Sequence, residues 1–190
     1  FLQEAVKHLL HLTNTCFEAV ACDLHPTMVT TRLAEELGEE HQIPVVKVQH
    51  HHAHAAALME EYSLDEIVAV VCDGVGYGSD GTIWGGEVLY SNRAGFERLA
   101  YLQLHPMAGG DLASIYPLRM AAGILYPEYD IRSLLYSKLD SFPKGELEVE
   151  LILRRLSKGT QLKTSSCGRI LDAVSSILGL CYERTYEGEP

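Results

Sequence analysis

The middle of the chain constrains the fold most, because it predicts three consecutive strands joined by short turns. Residues 66–74 (EIVAVVCDG) form a β-branched run typical of a strand, and a glycine-rich turn follows at residues 75–81. Residues 82–91 (TIWGGEVLYS) predict a second strand and residues 96–104 a third. Strands that follow one another through short turns pair antiparallel, so we predict a meander here.

The segments on either side of this meander predict helices and parallel strands. Hydrophobic residues at helical spacing cover residues 2–12. Residues 17–62 then alternate strand, helix, strand, helix, which is typical of parallel α/β units; the strands are 17–25 and 43–49 and the first of the two helices is 27–40. After Gly109 the chain predicts mostly helix, at 111–124, 130–141, 145–157 and 168–180, with a loop at 157–166. The predicted fold class is therefore α/β.

Charge and composition argue against several classes of function. The formal net charge of −11 repels a phosphate backbone, so we expect no nucleic-acid partner. No run of about 18 apolar residues occurs, so we expect no membrane span. The five cysteines are odd in number and lack C-x-x-C spacing. This pattern argues against a disulfide framework or a zinc knuckle and favours reduced thiols in a cytoplasmic protein.

The stretch VQHHHAHAA (48–56) places four of the nine histidines within five positions, at the predicted start of a helix. His50 and His54 are four residues apart and therefore share a helix face, which makes them a platform for a divalent metal. His51 and His54, three apart, are a weaker rival pair. The zinc-peptidase motif needs a Glu directly after its first His, and His51 stands there instead. The alternative is a set of polar histidines that cap a helix.

The glycine-rich turn CDGVGYGSDG (72–81) is a second candidate site. A strand follows it, so it is not a dinucleotide fingerprint, and no G-K-[ST] follows that would make it a P-loop. Asp73 could bind a metal, and the backbone amides of Gly74, Gly76 and Gly78 could line a phosphate pocket. The alternative is a tight turn that needs glycine for its geometry alone. The pair Gly85–Gly86 inside the next strand indicates close approach of another backbone or of a ligand.

Four blocks of the sequence together resemble the C-terminal region of the HypF family of hydrogenase-maturation carbamoyltransferases. They are VQHHHAHAAALM, DGVGYGSDGTIWGGEVLY, HPMAGGDLASIYPLRMA and TSSCGRILDAVSSILGLC. The resemblance extends from ACDLHP (21–26) to YEG (186–188). The combination D-G-x-G-x-G-x-D-G-x-x-W-G-G-E is its most specific part.

The resemblance implies an actin-like ATPase (RNase H-like) architecture, similar to that of the tRNA threonylcarbamoyl-transfer proteins. This architecture has a mixed sheet with flanking helices and two related halves. Residues 1–65 would be the end of the first half and residues 66–190 the start of the second, so the domain would be incomplete at both ends.

The resemblance also implies a reaction. A carbamoyl group passes from carbamoyl-adenylate to the C-terminal cysteine of a HypE-type partner and ends as cyanide on the iron of nickel–iron hydrogenases. Carbamoyl phosphate and ATP would be used by other domains of a longer parent chain, and we expect the isolated segment to be inactive. The metal, iron or zinc, would be held by His50, His54 and Asp73, with a further family Asp lying beyond Pro190.

Further nucleotide-binding candidates come from two sources. Gly109 and Gly110 precede a predicted helix, and a helix N-terminus with glycines is an anion site. Asp172 and Gly188 resemble ribose- and base-contacting positions of the related tRNA-modifying proteins; a solvated helix carboxylate and a loop glycine are the alternatives.

Three other functions stay open. The first is a small-molecule O-carbamoyltransferase or the tRNA threonylcarbamoyl transferase itself. The second is a sugar-kinase-like or chaperone-like ATPase of the same architecture, in which a histidine metal site is not expected. The third is a non-catalytic fragment whose histidines bind metal incidentally.

Overall fold

The computed structural model describes residues 1–159, 161–186 and 188–190. The helices are α1 Leu2–Thr13, α2 Val29–His41, α3 His50–Glu61, α4 Leu112–Ile115, α5 Pro117–Leu125, α6 Ile131–Ser137, α7 Gly145–Lys158 and α8 Cys167–Leu178. The strands are β1 Val20–Asp23, β2 Val45–Val48, β3 Glu66–Tyr77, β4 Ile83–Asn92, β5 Gly95–Tyr101, β6 His105–Pro106 and β7 Lys163–Thr164.

The strands form two separate sheets in the part of the chain that the structure describes. Strands β1 and β2 pair in parallel through the crossover helix α2, as the alternating pattern predicts. Strands β3, β4 and β5 form the predicted antiparallel meander. Strand β7 joins β4 in parallel and β6 antiparallel, which makes the larger sheet mixed. The prediction of an α/β fold with a mixed sheet and flanking helices is thus confirmed.

Several boundaries differ from the prediction for local reasons. Strand β3 continues to Tyr77 through an irregularity in its pairing with β4, so the glycine-rich turn is shorter than predicted. The helix predicted at 111–124 is broken at Tyr116, because the proline that follows disfavours helical geometry for the residue before it. The loop predicted at 157–166 contains β7, although residue 160 lies outside the described residues. Two-residue strands carry too little pattern to be recognised from sequence.

Helix α3 and the meander share a hydrophobic core. Ala55 of the helix packs with Trp84 and Leu89 of β4, and all three are at most 2% exposed. At the same end of the sheet the Arg98 guanidinium lies over the rings of Trp84, at 4.0 Å, and Tyr101, at 3.7 Å. These contacts fix the turn between β3 and β4 against the sheet.

Asp80 closes that turn through four donors. Its Oδ1 accepts hydrogen bonds from the backbone and side chain of Thr82 and from Trp84 Nε1, and its Oδ2 pairs with Arg98 Nη1 at 2.8 Å. Burial raises the pKa of Asp80, but the hydrogen bonds from Thr82 and Trp84 and the charge of Arg98 outweigh it and lower the pKa to about 2. The turn therefore holds a carboxylate whose charged form is favoured by folding.

We expect Asp80→Asn to make the stability of the fold depend less on pH in the acid range. A pKa depressed on folding contributes stability that is present above the ordinary value of 3.8 and is lost as pH falls through about 2. Urea midpoints measured between pH 5 and pH 2 should therefore fall less steeply in the variant than in the wild type. The control is Asp65→Asn, whose side chain is 93% exposed. Equal slopes for Asp80→Asn and the wild type would contradict this account.

Candidate metal centre

Helix α3 begins at the histidine stretch because Gln49 caps it. The Gln49 side-chain Oε1 accepts hydrogen bonds from the backbone N–H groups of His51, at 2.7 Å, and His52, at 3.0 Å. Strand β2 ends at Val48, so the helix starts directly beyond a strand of the parallel pair. This arrangement presents His50 and His54 on one face of the first turn, pointing toward β3.

The structure brings His50, His54 and Asp73 together. One ligand atom from each of the three side chains lies within 4.8 Å of the others. The Nε2 atoms of His50 and His54 are 3.3 Å apart, and His50 Nε2 is 3.2 Å from Asp73 Oδ2. Two histidines of one helix and a carboxylate of a neighbouring strand therefore converge on one point.

The three side chains fit a divalent ion. Ligand atoms each about 2.1 Å from a tetrahedral ion are about 3.4 Å apart, close to the separations observed around His50 Nε2. Asp73 Oδ2 is buried and accepts no hydrogen bond of ordinary geometry among the described residues, as expected of an oxygen prepared for a cation. Two imidazoles and one carboxylate suit zinc and iron alike. His54 is exposed, so the point on which the three side chains converge is open to solvent on the side of His54.

Asp23 is a part of this centre that the sequence analysis missed. Its Oδ2 lies 3.1 Å from His50 Nδ1, while its Oδ1 accepts a hydrogen bond from the backbone N–H of His25. A carboxylate can only accept, so the ring proton of His50 stays on Nδ1 and is donated to Asp23, and the lone pair lies on Nε2, the atom that faces His54 and Asp73. Asp23 pairs with Val48 in the parallel register, two residues before His50. Because parallel strands end at one edge of a sheet, the strand order points to the region of Asp23, but its contact with His50 depends on a register that the sequence does not fix.

The Asp73 carboxylate is held in its charged form. Burial raises its pKa, but the contact with His51, the Gly74 N–H and the proximity of His50 together hold the pKa below its usual range. The Gly74 N–H donates to Oδ1 at 2.6 Å. A carboxylate that is ionised at neutral pH is ready to bind a cation.

The remaining two histidines of the stretch have different surroundings. His51 is fully buried, and its Nε2 is 3.5 Å from Asp73 Oδ2. His52 stacks on Phe96 with ring centroids 5.1 Å apart, and burial lowers its pKa. The rival pair of His51 and His54 is therefore not the one that the structure brings together with Asp73.

The predicted nucleotide-binding residues lie in two cavities and, for Gly76 and Gly78, at the end of β3 and in the turn that follows it. Gly74, Asp172 and Gly188 line one cavity of about 280 Å³, together with Asp73. Gly109 and Gly110 line a different cavity of about 460 Å³, beside Arg155 and Lys158. The helix that follows them, α4, has only four residues, so its N-terminus offers less to an anion than the predicted helix at 111–124 would.

Gly76 and Gly78 serve packing in this structure. A Cβ on Gly76 would lie 2.2 Å from His51 Cε1, and one on Gly78 would lie 2.3 Å from Trp84 Nε1. The N–H of Gly78 donates to Thr82 O within the turn. These contacts fit the geometric alternative stated for this turn, while binding of phosphate by the two amides stays a prediction.

The approach of another backbone to Gly85 and Gly86 is confirmed. A Cβ on Gly85 would lie 2.5 Å from Asp73 O and 3.0 Å from Ser166 Cα, and one on Gly86 would lie 2.5 Å from Ser165 O. Ser166 Oγ in turn donates to the carbonyl oxygens of Asp73 and Gly74. The two glycines thus let the start of α8 reach the strand that carries Asp73.

Asp172 lies in the cavity beside the metal centre and is 4% exposed. Its Oδ2 is 2.7 Å from Arg169 Nε, one helical turn earlier. Burial raises the pKa of Asp172, against the opposing charges of Arg169 and Arg184. The two arginines and the N-terminus of α8 give this cavity a positive side next to Asp73.

Comparisons with known proteins give the family and the class of fold. A family model described as the carbamoyltransferase Kae1-like domain, second subdomain, matches residues 69–190, and one described as the HypF Kae1-like domain matches residues 1–61. The chain is 44% identical to a probable carbamoyltransferase HypF of Methanocaldococcus jannaschii, over 100% of this chain and 25% of that protein. It is 38% identical to a carbamoyltransferase HypF homolog of Cupriavidus necator, over 99% of this chain and 48% of that protein.

The solved structures that match this chain belong to the same family. The crystal structure of T. kodakarensis HypF matches with a TM-score of 0.86 and 40% identity over 100% of this chain and 26% of that chain. Full-length HypF in the phosphate- and nucleotide-bound form matches with a TM-score of 0.87 and 32% identity over 98% of this chain and 28% of that chain. The fold is thus that of a Kae1-like domain.

The chain belongs to the HypF carbamoyltransferase family, which confirms the resemblance drawn from its four sequence blocks. It spans between about a quarter and a half of the length of these relatives. Over the described ranges, every helix is too short or too polar to cross a bilayer.

Proposed function

We propose that this chain supplies the carbamoyl-transfer site of a HypF-type protein and passes a carbamoyl group from carbamoyl-adenylate to the C-terminal cysteine of a HypE-type partner. The product would serve cyanide-ligand synthesis for nickel–iron hydrogenases. The observation that carries the proposal is the convergence of His50, His54 and Asp73 beside a cavity that two arginines help to line. The family membership supports the same reaction class.

The transfer needs no nucleophile from this chain. The partner's thiolate adds to the carbamoyl carbon, the carbon–oxygen bond to the AMP phosphate breaks, and AMP leaves with the electron pair. When bound by His50, His54 and Asp73, a divalent ion supplies Lewis-acid polarisation of the carbonyl or phosphoryl oxygen. Exposed His54 lies on the open side, where an external thiol can approach.

The cavity lined by Gly74, Asp172 and Gly188 is the proposed place of the adenylate. Its volume of about 280 Å³ is near the lower end of ligand cavities, and it shares Asp73 with the metal centre. Arg169 and Arg184 flank it and would favour a phosphate group. A related protein has been crystallised in a phosphate- and nucleotide-bound form, which supports a nucleotide here. For Gly109 and Gly110 a role in binding the same nucleotide is less well supported, because they line another cavity.

The proposed division of the chain at residues 65 and 66 has support from the hydrogen-bonded sheets. Strands β1 and β2 lie in the first segment, and the sheet that contains β3 lies in the second. Residues 1–65 would then supply His50 and His54, and residues 66–190 would supply Asp73. The site would form where the two segments meet.

A segment exchange tests the proposed function. The matching quarter of the Methanocaldococcus jannaschii relative is replaced by this chain, and carbamoyl transfer to a HypE-type cysteine is measured by mass spectrometry. The exchanged protein should retain activity within about tenfold, and His50→Ala in the exchanged segment should reduce it by more than about a hundredfold. An exchanged protein that folds and forms carbamoyl-adenylate but does not transfer it would refute the proposal.

Asp23→Asn should weaken ion binding by about 10- to 100-fold, the usual cost of losing an outer carboxylate on a ligating histidine. An amide can present its own N–H to His50 Nδ1 and so favour the wrong tautomer. Zn²⁺ affinity is measured by competition with a chromophoric chelator. Asp111→Asn is the matched control, since the Asp111 side chain makes no capping hydrogen bond. Unchanged affinity in Asp23→Asn would show that Asp23 does not orient His50.

A further inference from the structure

His51 lies between Gln49 and Asp73 and is fully buried. Gln49 Nε2 is 3.1 Å from His51 Nδ1 and also donates to the backbone oxygen of Tyr77 at 3.2 Å. His51 Nε2 is 3.5 Å from Asp73 Oδ2 on the opposite side of the ring. The three side chains therefore form a row that ends at a proposed metal ligand.

The direction of the hydrogen bonds along this row follows from the cap of α3. Gln49 Oε1 accepts from two backbone N–H groups, so its amide cannot be turned around without losing both. The other end of the amide is then an NH₂ group, which donates to His51 Nδ1. A neutral imidazole that accepts at Nδ1 carries its proton on Nε2, the atom that faces Asp73.

We propose that His51 is a positioning residue for Asp73, with Gln49 fixing its tautomer. The Nε2–H of His51 faces Oδ2 from one side, at 3.5 Å, while the Gly74 N–H donates to Oδ1. A carboxylate oxygen has two lone pairs, so Oδ2 can face His51 and an ion at the same time. At 3.5 Å the contact is longer than an ordinary hydrogen bond, and His51 Nε2 has no other partner among the described residues.

The surroundings of His51 keep its ring in this orientation. Any side chain at Gly76 would meet the ring, because a Cβ there would lie 2.2 Å from Cε1 and 2.9 Å from Nδ1. The Trp84 ring lies on another side, with centroids 6.0 Å apart. Gly76 thus makes room for a positioning residue, which is a use for this glycine that does not involve phosphate.

The positioning role of His51 rests on the proposed metal function, because positioning Asp73 matters only if Asp73 binds an ion. The first test measures the His51 tautomer and needs no ion. In the metal-free chain labelled with ¹⁵N-histidine, nitrogen chemical shifts identify the tautomer of each imidazole, and His51→Gln assigns the His51 signals. We expect the Nε2–H tautomer for His51. The Nδ1–H tautomer would overturn the proposed role of Gln49 and His51, whether or not the chain binds an ion.

The second test measures Zn²⁺ affinity in two variants. His51→Leu fills the space without a donor and should weaken binding by about 10- to 100-fold, the range for an outer hydrogen-bonding partner. His51→Gln places an N–H close to the position of Nε2 and should restore affinity to within about threefold of the wild type. His52→Leu, on the Phe96 side, is the control and should leave affinity unchanged.

The outcomes distinguish the positioning role of His51 from the proposed metal centre. Equal losses in His51→Leu and His51→Gln, or no loss in either, would overturn the positioning role. A wild-type chain that binds no Zn²⁺ would refute the metal centre. The tautomer measurement would still decide whether Gln49 directs the Nε2–H of His51 toward Asp73. Thermal unfolding of each variant identifies loss of fold, and if His51→Leu does not fold, His51→Gln and the tautomer decide.

Discussion

Replacing His50 and His54 together by alanine should reduce Zn²⁺ affinity by more than about a hundredfold. Loss of an outer partner of a ligand already costs 10- to 100-fold, and this double change removes two of the three ligands themselves. Titration calorimetry on the wild type and the variant measures the effect. His54 is exposed and His50 is about one-third exposed, so the fold should survive both changes.

The control for this experiment is His52→Ala. His52 belongs to the same stretch but stacks on Phe96 and does not reach the shared point of His50, His54 and Asp73. Its affinity for Zn²⁺ should match the wild type. If His52→Ala weakens binding as much as the double change does, the stretch binds ions without the specific geometry described, as in the non-catalytic alternative.

Gly85→Ala should destabilise the fold by about 2–3 kcal/mol. The added methyl group would lie 2.5 Å from Asp73 O and 3.0 Å from Ser166 Cα, and both are backbone atoms that cannot turn away. Forcing extra volume into a filled interior usually costs 1–3 kcal/mol. Urea unfolding followed by circular dichroism gives the free energy of unfolding. Because the clash displaces Asp73, Zn²⁺ affinity should fall as well.

Gly95→Ala is the matched control for this prediction. Gly95 begins β5, and a Cβ there would meet no atom within 4 Å. Its free energy of unfolding should change by less than about 0.5 kcal/mol. A Gly85→Ala variant as stable as Gly95→Ala would mean that α8 does not approach the meander as closely as the structure has it.

The sequence predicts the parts of this protein that follow from periodicity and spacing. Amphipathic helices, the β-branched strand and the meander are local patterns, and the i, i+4 spacing of His50 and His54 is fixed by helix geometry alone. That Asp73 joins them came from the family resemblance together with its place at a strand end. These predictions required no knowledge of how distant segments pack.

Other features could not be read from the sequence because they depend on register and on side-chain packing. Asp23 reaches His50 only through the parallel register of β1 and β2, and the row from Gln49 through His51 to Asp73 depends on which way a capped amide points. Gly109 and Gly110 are candidates because they precede a predicted helix, and the fold separates their cavity from that of Asp172. The break in the helix predicted at 111–124 is different, because Pro117 is a sequence signal for it: a proline disfavours helical geometry for the residue before it.

An ion bound in this centre would also connect the two sheets of the fold. His50 starts a helix that leaves the parallel pair β1–β2, whereas Asp73 belongs to the larger mixed sheet. A cation held by both would act as a tether between them, comparable to a cross-link made by coordination. Since binding to the folded form alone stabilises by mass action, about 2.7 kcal/mol at a hundred times the dissociation constant, occupancy would raise the free energy needed to separate the two sheets.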